Sequence, residues 1–241
     1  MSEPLRLALV AEGPTDRVVI EAAISSMLDP RPFVLNQLQP EASLAFGPLG
    51  GGWGGVYRWC RQAAVRSGGS LDADPLFAFH DVLVIHLDAD VATERYQSAN
   101  IHEDPGDLPC AQPCPPPNAT TDRLRRVLLR WVGEIVLPDR TVLCTPSKST
   151  EAWVLAALFP NDPAVVGGNL ECLPHPDNRF GQQPIESRVY KSESDYDSHT
   201  DSLRDAWPTV TESCTEARRF SDDFRRAVQT VDARADATES S

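Results

Sequence analysis

Residues 5–16 read Leu-Arg-Leu-Ala-Leu-Val-Ala-Glu-Gly-Pro-Thr-Asp, and this stretch decides the fold class. Leu5 to Ala11 is an almost unbroken apolar run, of the right length for a strand buried on both faces. Gly13 and Pro14 end it. Thr15 is expected to cap a helix, and Arg17 to Leu28 reads as that helix. A strand that passes straight into a helix puts Glu12 at the carboxyl end of a sheet strand, which is where open α/β sheets bind ligands. Asp16 falls in the first helical turn and can face the same crevice.

The design recurs at residues 81–90, DVLVIHLDAD. Val82–Leu87 is a second apolar strand, closed by Asp88 and Asp90. Residues two apart on extended chain project to the same side, so these two carboxylates are expected to point together. Arg140–Cys144 (RTVLC) is a further buried strand. It leads through Thr145-Pro146-Ser147-Lys148-Ser149-Thr150 into a helix with Trp153, Val154, Ala157 and Leu158 as apolar residues. Ser149 or Thr150 is the expected cap, and Glu151 lies in the first turn. Carboxylates gathered at the ends of neighbouring strands repel one another unless a cation sits among them. Oxygen ligands without a His-rich cluster point to Mg2+ or Mn2+ rather than Zn2+.

Between these landmarks, Phe33–Leu38 is a plausible strand, and residues 47–55 (GPLGGGWGG) form a glycine-rich connection before a helix at Val56–Arg66. That connection lacks both the GK[ST] ending of a P-loop and the GxGxxG spacing. It reads as a flexible link or a close backbone approach to a substrate. Residues 91–119 carry Pro105, Pro109, Pro113, Pro115, Pro116 and Pro117, so they read as a long loop or insertion. Thr120 or Thr121 then caps an amphipathic helix with Leu124, Val127, Leu128, Trp131, Val132, Ile135 and Val136 on its apolar side. Arg123, Arg125, Arg126 and Arg130 on its other faces are the one dense basic patch and the best candidates for phosphate contacts. Beyond Pro160 the pattern is sparse, with residues 161–183 loop-rich and residues 192–201 acidic. Thr215 to Ala233 is a final helix whose stripe Phe220, Phe224, Val228 and Val231 packs on the core or docks a partner. The last residues, from Arg234 on, are expected to be disordered.

The chain has 241 residues, enough for one sizeable α/β domain with an appendage. No apolar run reaches membrane-spanning length, and nothing at the amino terminus resembles a secretory signal, so a cytoplasmic address is expected. Cys60 and Cys144 lie in apolar contexts and read as reduced core residues. Cys110-x3-Cys114 and Cys172-x2-His175 have spacings that could bind Zn2+, but neither is CxxC, and free thiols in loops are the expected state. With 22 basic and 35 acidic residues the formal net charge is −13, which argues against unaided binding to a polyanion.

Glu12-Gly13-Pro14-Thr15-Asp16 followed by Asp88-Ala89-Asp90 resembles the two signature motifs of the Toprim domain, found in topoisomerases, bacterial primases and OLD-family nucleases. Ser149-x-Glu151 resembles the third acidic motif of the OLD-type enzymes. The run SKSTEAWVLAALF is similar to the matching segment of standalone Toprim-like proteins that accompany ATPases in bacterial defence islands. The likeness covers roughly the first two-thirds of the chain. It implies a Rossmann-like, mainly parallel sheet flanked by helices over residues 1–165, with the insertion at 91–119, and an irregular or helical extension over 166–241. It further implies a nuclease or nickase with two Mg2+ or Mn2+ ions held by Glu12, Asp16, Asp88, Asp90 and Glu151. Glu12, Glu151 and Lys191 would be catalytic, since OLD-type nucleases use a lysine after their acidic motifs. DNA is favoured over RNA as substrate, an ATPase subunit is the expected partner, and a homo-oligomer is left open. The rival expectation is a non-catalytic Toprim-like subunit that regulates or binds an ATPase.

Overall fold

Strands that are apolar without alternation must be covered on both faces, and the computed structural model, which describes residues 3–41 and 48–239 (side chains through 237), builds the chain on that requirement. β1 (Leu5–Val10), β2 (Phe33–Gln39), β3 (Val82–His86) and β4 (Thr141–Cys144) form one sheet in the order β2-β1-β3-β4, with every neighbouring pair parallel. The protein is therefore α/β, with a parallel sheet flanked by helices. Period-2 side-chain alternation divides the core in two. Leu5, Leu7, Leu9, Val82, Val84, Val142 and Cys144 face one layer, and Ala8, Val10, Leu83, Ile85 and Leu143 face the other.

The connections follow from right-handed crossover. α1 (Pro14–Leu28) carries the chain from β1 out to β2 and covers the first face. α2 (Gly52–Arg66) and α3 (Asn118–Val132) carry it back through β3 to β4 and cover the second. The direction of travel reverses between β1 and β3, so a crevice opens at their carboxyl ends.

Helix starts differ from expectation for stated reasons. α1 begins at Pro14, not Arg17, with Gly13 rather than Thr15 as its cap. The Gly13 N–H donates to Asp16 Oδ2 at 3.0 Å, and proline is pre-organised for the first helical position. α2 begins at Gly52 and α3 at Asn118, so Thr120 and Thr121 lie inside the first turn of α3. α3 ends at Val132, where Gly133 takes a left-handed turn, so Ile135 and Val136 are exposed beyond the helix and not on its apolar face. Gly54 and Gly55 serve close internal packing, while Gly50 and Gly52 take left-handed backbone. A Cβ on Gly55 would meet Gln39 Nε2 at 2.3 Å and Gly50 O at 2.5 Å. Gly47 lies outside the described residues. The Pro-rich insertion is anchored by Tyr96, wholly buried among Trp53, Tyr57 and Trp131, with Trp131 Nε1 donating to its hydroxyl at 2.9 Å.

The carboxyl-terminal third is more regular than its sequence suggests. α4 (Glu151–Leu158) precedes α5 (Pro163–Val166), α6 (Glu193–Ser198), α7 (Thr200–Ser213) and α8 (Thr215–Glu239). α7 packs on α1 and α4, and α8 lies along β4. Trp153 stacks against Phe220 and meets Trp207 edge-on, so residues beyond 165 share one core with the sheet. The stripe Phe220, Phe224 and Val228 is buried there, with Val231 partly buried, which makes it an internal face and not a docking one. Arg234 to Glu239 are helical, contrary to the expected disorder, while Ser240 and Ser241 lie outside the described residues.

Cys114 and Cys172 form a disulfide, with Cα atoms 5.5 Å apart. This corrects the expectation of free thiols for those two and removes both Zn2+ spacings, because each pair loses a cysteine to the other. Cys60 and Cys144 are free and buried, and Cys110 is free. A disulfide is uncommon in a reducing cytoplasm, the address expected from the absence of a membrane-length apolar run and of a secretory signal. No helix among the described residues is long and apolar enough to cross a membrane.

Candidate metal centre at the carboxyl edge of the sheet

Each side chain of the site is delivered by the end of a buried element. Glu12 follows β1, Asp16 sits in the first turn of α1, and Asp88 follows β3. Glu151 opens α4 after β4. Glu12 Oε1 accepts the Asp88 backbone N–H at 2.8 Å and so bridges the ends of β1 and β3. Asp16 is held from two sides: Oδ2 accepts the Gly13 N–H, and Oδ1 accepts the Thr150 hydroxyl at 2.8 Å. Thr150, expected as a helix cap, spends its hydroxyl on this cross-link instead and joins α4 to α1. The backbone N–H groups of Ala89 and Asp90 donate to the Pro146 and Lys148 carbonyls, which seats the loop after β3 on the loop after β4.

His86 belongs to the same cluster, although it looked like one residue of an apolar strand. It is in phase with Asp88 and is 0 % exposed. Its Nε2 lies 3.0 Å from Asp88 Oδ1, and its Nδ1 lies 4.0 Å from Asp16 Oδ2 with no hydrogen-bond partner among the described residues. A polar residue two positions before Asp88 on the strand was the signal that could have found it.

Burial first, and the neighbouring Asp88 carboxylate second, hold the Glu12 carboxyl well above its ordinary range. The Asp88 carboxyl is likewise raised, by burial and then by the charges of Asp16, Glu151 and Asp90. Two carboxyls raised in this way mark negative charge gathered faster than the protein neutralises it. Glu12, His86 and Asp88 each offer a ligand atom within 4.8 Å of the others, an arrangement that could hold a metal ion. His86 Nδ1 and Glu151 Oε2 are buried polar atoms of this centre that have no hydrogen-bond partner among the described residues.

Lys191 reaches the site from the segment before α6. Its Nζ lies 2.8 Å from Glu151 Oε1, pairing a half-exposed ammonium with a carboxylate that is 1 % exposed. The Tyr196 hydroxyl approaches the same oxygen at 3.4 Å. No family model, curated protein or solved structure matches the chain. The centre must therefore be judged on its geometry.

Asp90 departs from its expected placement. The chain turns into a short 3-10 helix, Ala89–Thr93, so Asp90 is not on extended chain and is exposed where Asp88 is buried. It stays at the site all the same: burial raises its carboxyl, Lys191 opposes that shift, and its charge helps to raise Asp88. The basic patch is also divided. Arg125 turns inward, pairing with Asp223 of α8 and donating to the Leu143 carbonyl at 2.8 Å, so it is not presented to a ligand. Arg123, Arg126 and Arg130 are exposed and line a depression of about 410 Å³ with Asp107, Pro109 and Cys110; Arg130 pairs with Asp107. The depressions of about 430 and 630 Å³ along α8 have none of the sheet-edge carboxylates in their walls.

Proposed function

We propose that the chain is a Toprim-like phosphodiester hydrolase that acts on nucleic acid, DNA before RNA, with Mg2+ or Mn2+ at the sheet edge. One observation carries the reading: Glu12, Asp16, Asp88 and Glu151, from three separate segments of the chain, converge with an unsatisfied imidazole at the switch point of a parallel sheet. Those carboxylates would hold the metal, and a divalent cation bound there supplies Lewis-acid stabilisation of charge on phosphate oxygens.

The chain's own groups have separable tasks. Glu12 ties the two strand ends through the Asp88 N–H, so the ligand edge keeps its shape without a cation. Thr150 and the Gly13 N–H fix the Asp16 carboxylate from opposite sides. Lys191, anchored on Glu151 and half in water, can offer positive charge to a phosphate at the mouth of the site. Arg123, Arg126 and Arg130 are the exposed cations that would take neighbouring phosphates. With the chain at −13, a second subunit, an ATPase by the resemblance, supplies the rest of the nucleic-acid surface.

The test is nicking of supercoiled plasmid, alongside cleavage of a structured RNA, by the purified chain with Mg2+ or Mn2+. Glu12→Gln keeps a side-chain acceptor for the Asp88 N–H while removing the charge, and should abolish turnover in a folded protein. Equal turnover by the variant, or none by the wild type with either metal and with its partner present, refutes the proposal.

A further inference from the structure

His86 presents a problem that the carboxylates alone do not solve. It is fully buried, so each ring nitrogen needs a partner or leaves a costly orphan. Nε2 has one, Asp88 Oδ1 at 3.0 Å. A carboxylate that holds one ring N–H is the usual companion of an imidazole whose other nitrogen binds a metal. Among the described residues Nδ1 has no hydrogen-bond partner, and the nearby carboxylate oxygen, Asp16 Oδ2, is 4.0 Å away. That distance is too long for a hydrogen bond. It is close to the sum of two metal–ligand bonds of about 2.1 Å each. Asp16 cannot easily swing away, because Thr150 and Gly13 hold both of its oxygens.

We propose that His86 is a nitrogen ligand of a divalent cation in this cluster, through Nδ1 facing Asp16, and that the site therefore prefers Mn2+ to Mg2+. This rests on the metal half of the proposed function and is independent of hydrolysis. Carboxylates alone serve Mg2+ and Mn2+ about equally, whereas an imidazole donor favours first-row transition ions over the hard, strongly hydrated Mg2+. The competing resolution of the orphan is a proton, giving an imidazolium between Asp16 and Asp88.

The two resolutions separate by spectroscopy on the intact chain. Metal-free protein is loaded with Mn2+ and examined by pulsed electron paramagnetic resonance. Nitrogen hyperfine modulation is expected, changing when histidine alone is isotopically labelled and vanishing in His86→Gln. Calorimetric titration with each metal should show Mn2+ bound more tightly in the wild type, with a preference that falls by about 10-fold or more in the variant. Should His86→Gln not fold, the labelled wild-type spectrum decides alone. An oxygen-only Mn2+ spectrum, absence of Mn2+ binding, or an unchanged metal preference in a folded variant overturns the assignment. Neither measurement involves nucleic acid. A nitrogen-ligated but inactive protein would refute only the hydrolase, and an active protein with oxygen-only ligation would refute only His86.

Discussion

Glu216 stands at the start of α8, 2 % exposed, and among the described residues neither carboxylate oxygen has a hydrogen bond of full geometry, Thr121 being the nearby hydroxyl that favours its charged form. Burial pushes its carboxyl up from 4.5 to about 7, and Arg219, at 3.7 Å, offsets only part of the effect. The folded state therefore binds a proton that the unfolded state has already released. Below about pH 4.5 both states are protonated and the group costs nothing. As pH rises from there through about 7 the folded state loses this advantage, and above 7 the loss is complete. At 1.36 kcal/mol per pH unit the interval corresponds to about 3 kcal/mol. Glu216→Gln should remove this dependence. Burying an amide in its place adds a cost of about 1–3 kcal/mol, but the same at every pH. The informative quantity is therefore the change with pH of the stability difference between variant and wild type. It should grow in favour of the variant by about 3 kcal/mol between about pH 4.5 and pH 8.5. Glu171, also raised by burial, titrates in both proteins, and its charge is a lesser contributor to the Glu216 shift than burial. Urea unfolding at a series of pH values with a chelator present makes the measurement. A difference that is flat with pH, or that moves toward the wild type as pH rises, refutes the reasoning.

Asp88→Asn should fold, since it relieves repulsion among buried carboxyls, yet lose stabilisation by Mn2+. In the wild type, metal at about 100 times its dissociation constant should add ~2.7 kcal/mol, or roughly 5–10 °C in melting temperature. A wild type whose melting ignores both Mg2+ and Mn2+ sinks the metal centre. Lys191→Met leaves Glu151 buried and unpaired, and should cost about 2 kcal/mol in chelator, below the usual range for a broken buried pair because the ammonium is half in water. Chemical denaturation within error of the wild type would show that the pair contributes nothing. Replacing Cys114 and Cys172 by serine frees a loop spanning 58 residues and should cost ~4 kcal/mol from chain entropy. An unchanged denaturation midpoint for the double variant would mean that the bond is absent in solution.

Local chemistry made much of this protein legible in its sequence. Short uninterrupted apolar runs ending in Glu12, Asp88 and the segment before Glu151, each followed by a helix, fit strands covered on both faces of a parallel sheet. From that the α/β class and the acidic edge both follow. Lys191 was flagged by likeness alone, and the geometry brings it to Glu151. Other features depend on contacts between residues far apart in the chain, which no local pattern encodes. α7 was missed because Leu203, Trp207 and Val210 sit in an acidic segment interrupted by Pro208, and they become a core face only against α1 and α4. Arg125 looked like one of four equivalent cations until Asp223, 98 residues away, turned it inward. The Cys114–Cys172 bond joins segments with no spacing signature. His86 read as part of an apolar strand. The fold makes it a candidate ligand, because the ends of β1, β3 and α4 converge on it and leave its Nδ1 facing a carboxylate with nothing between.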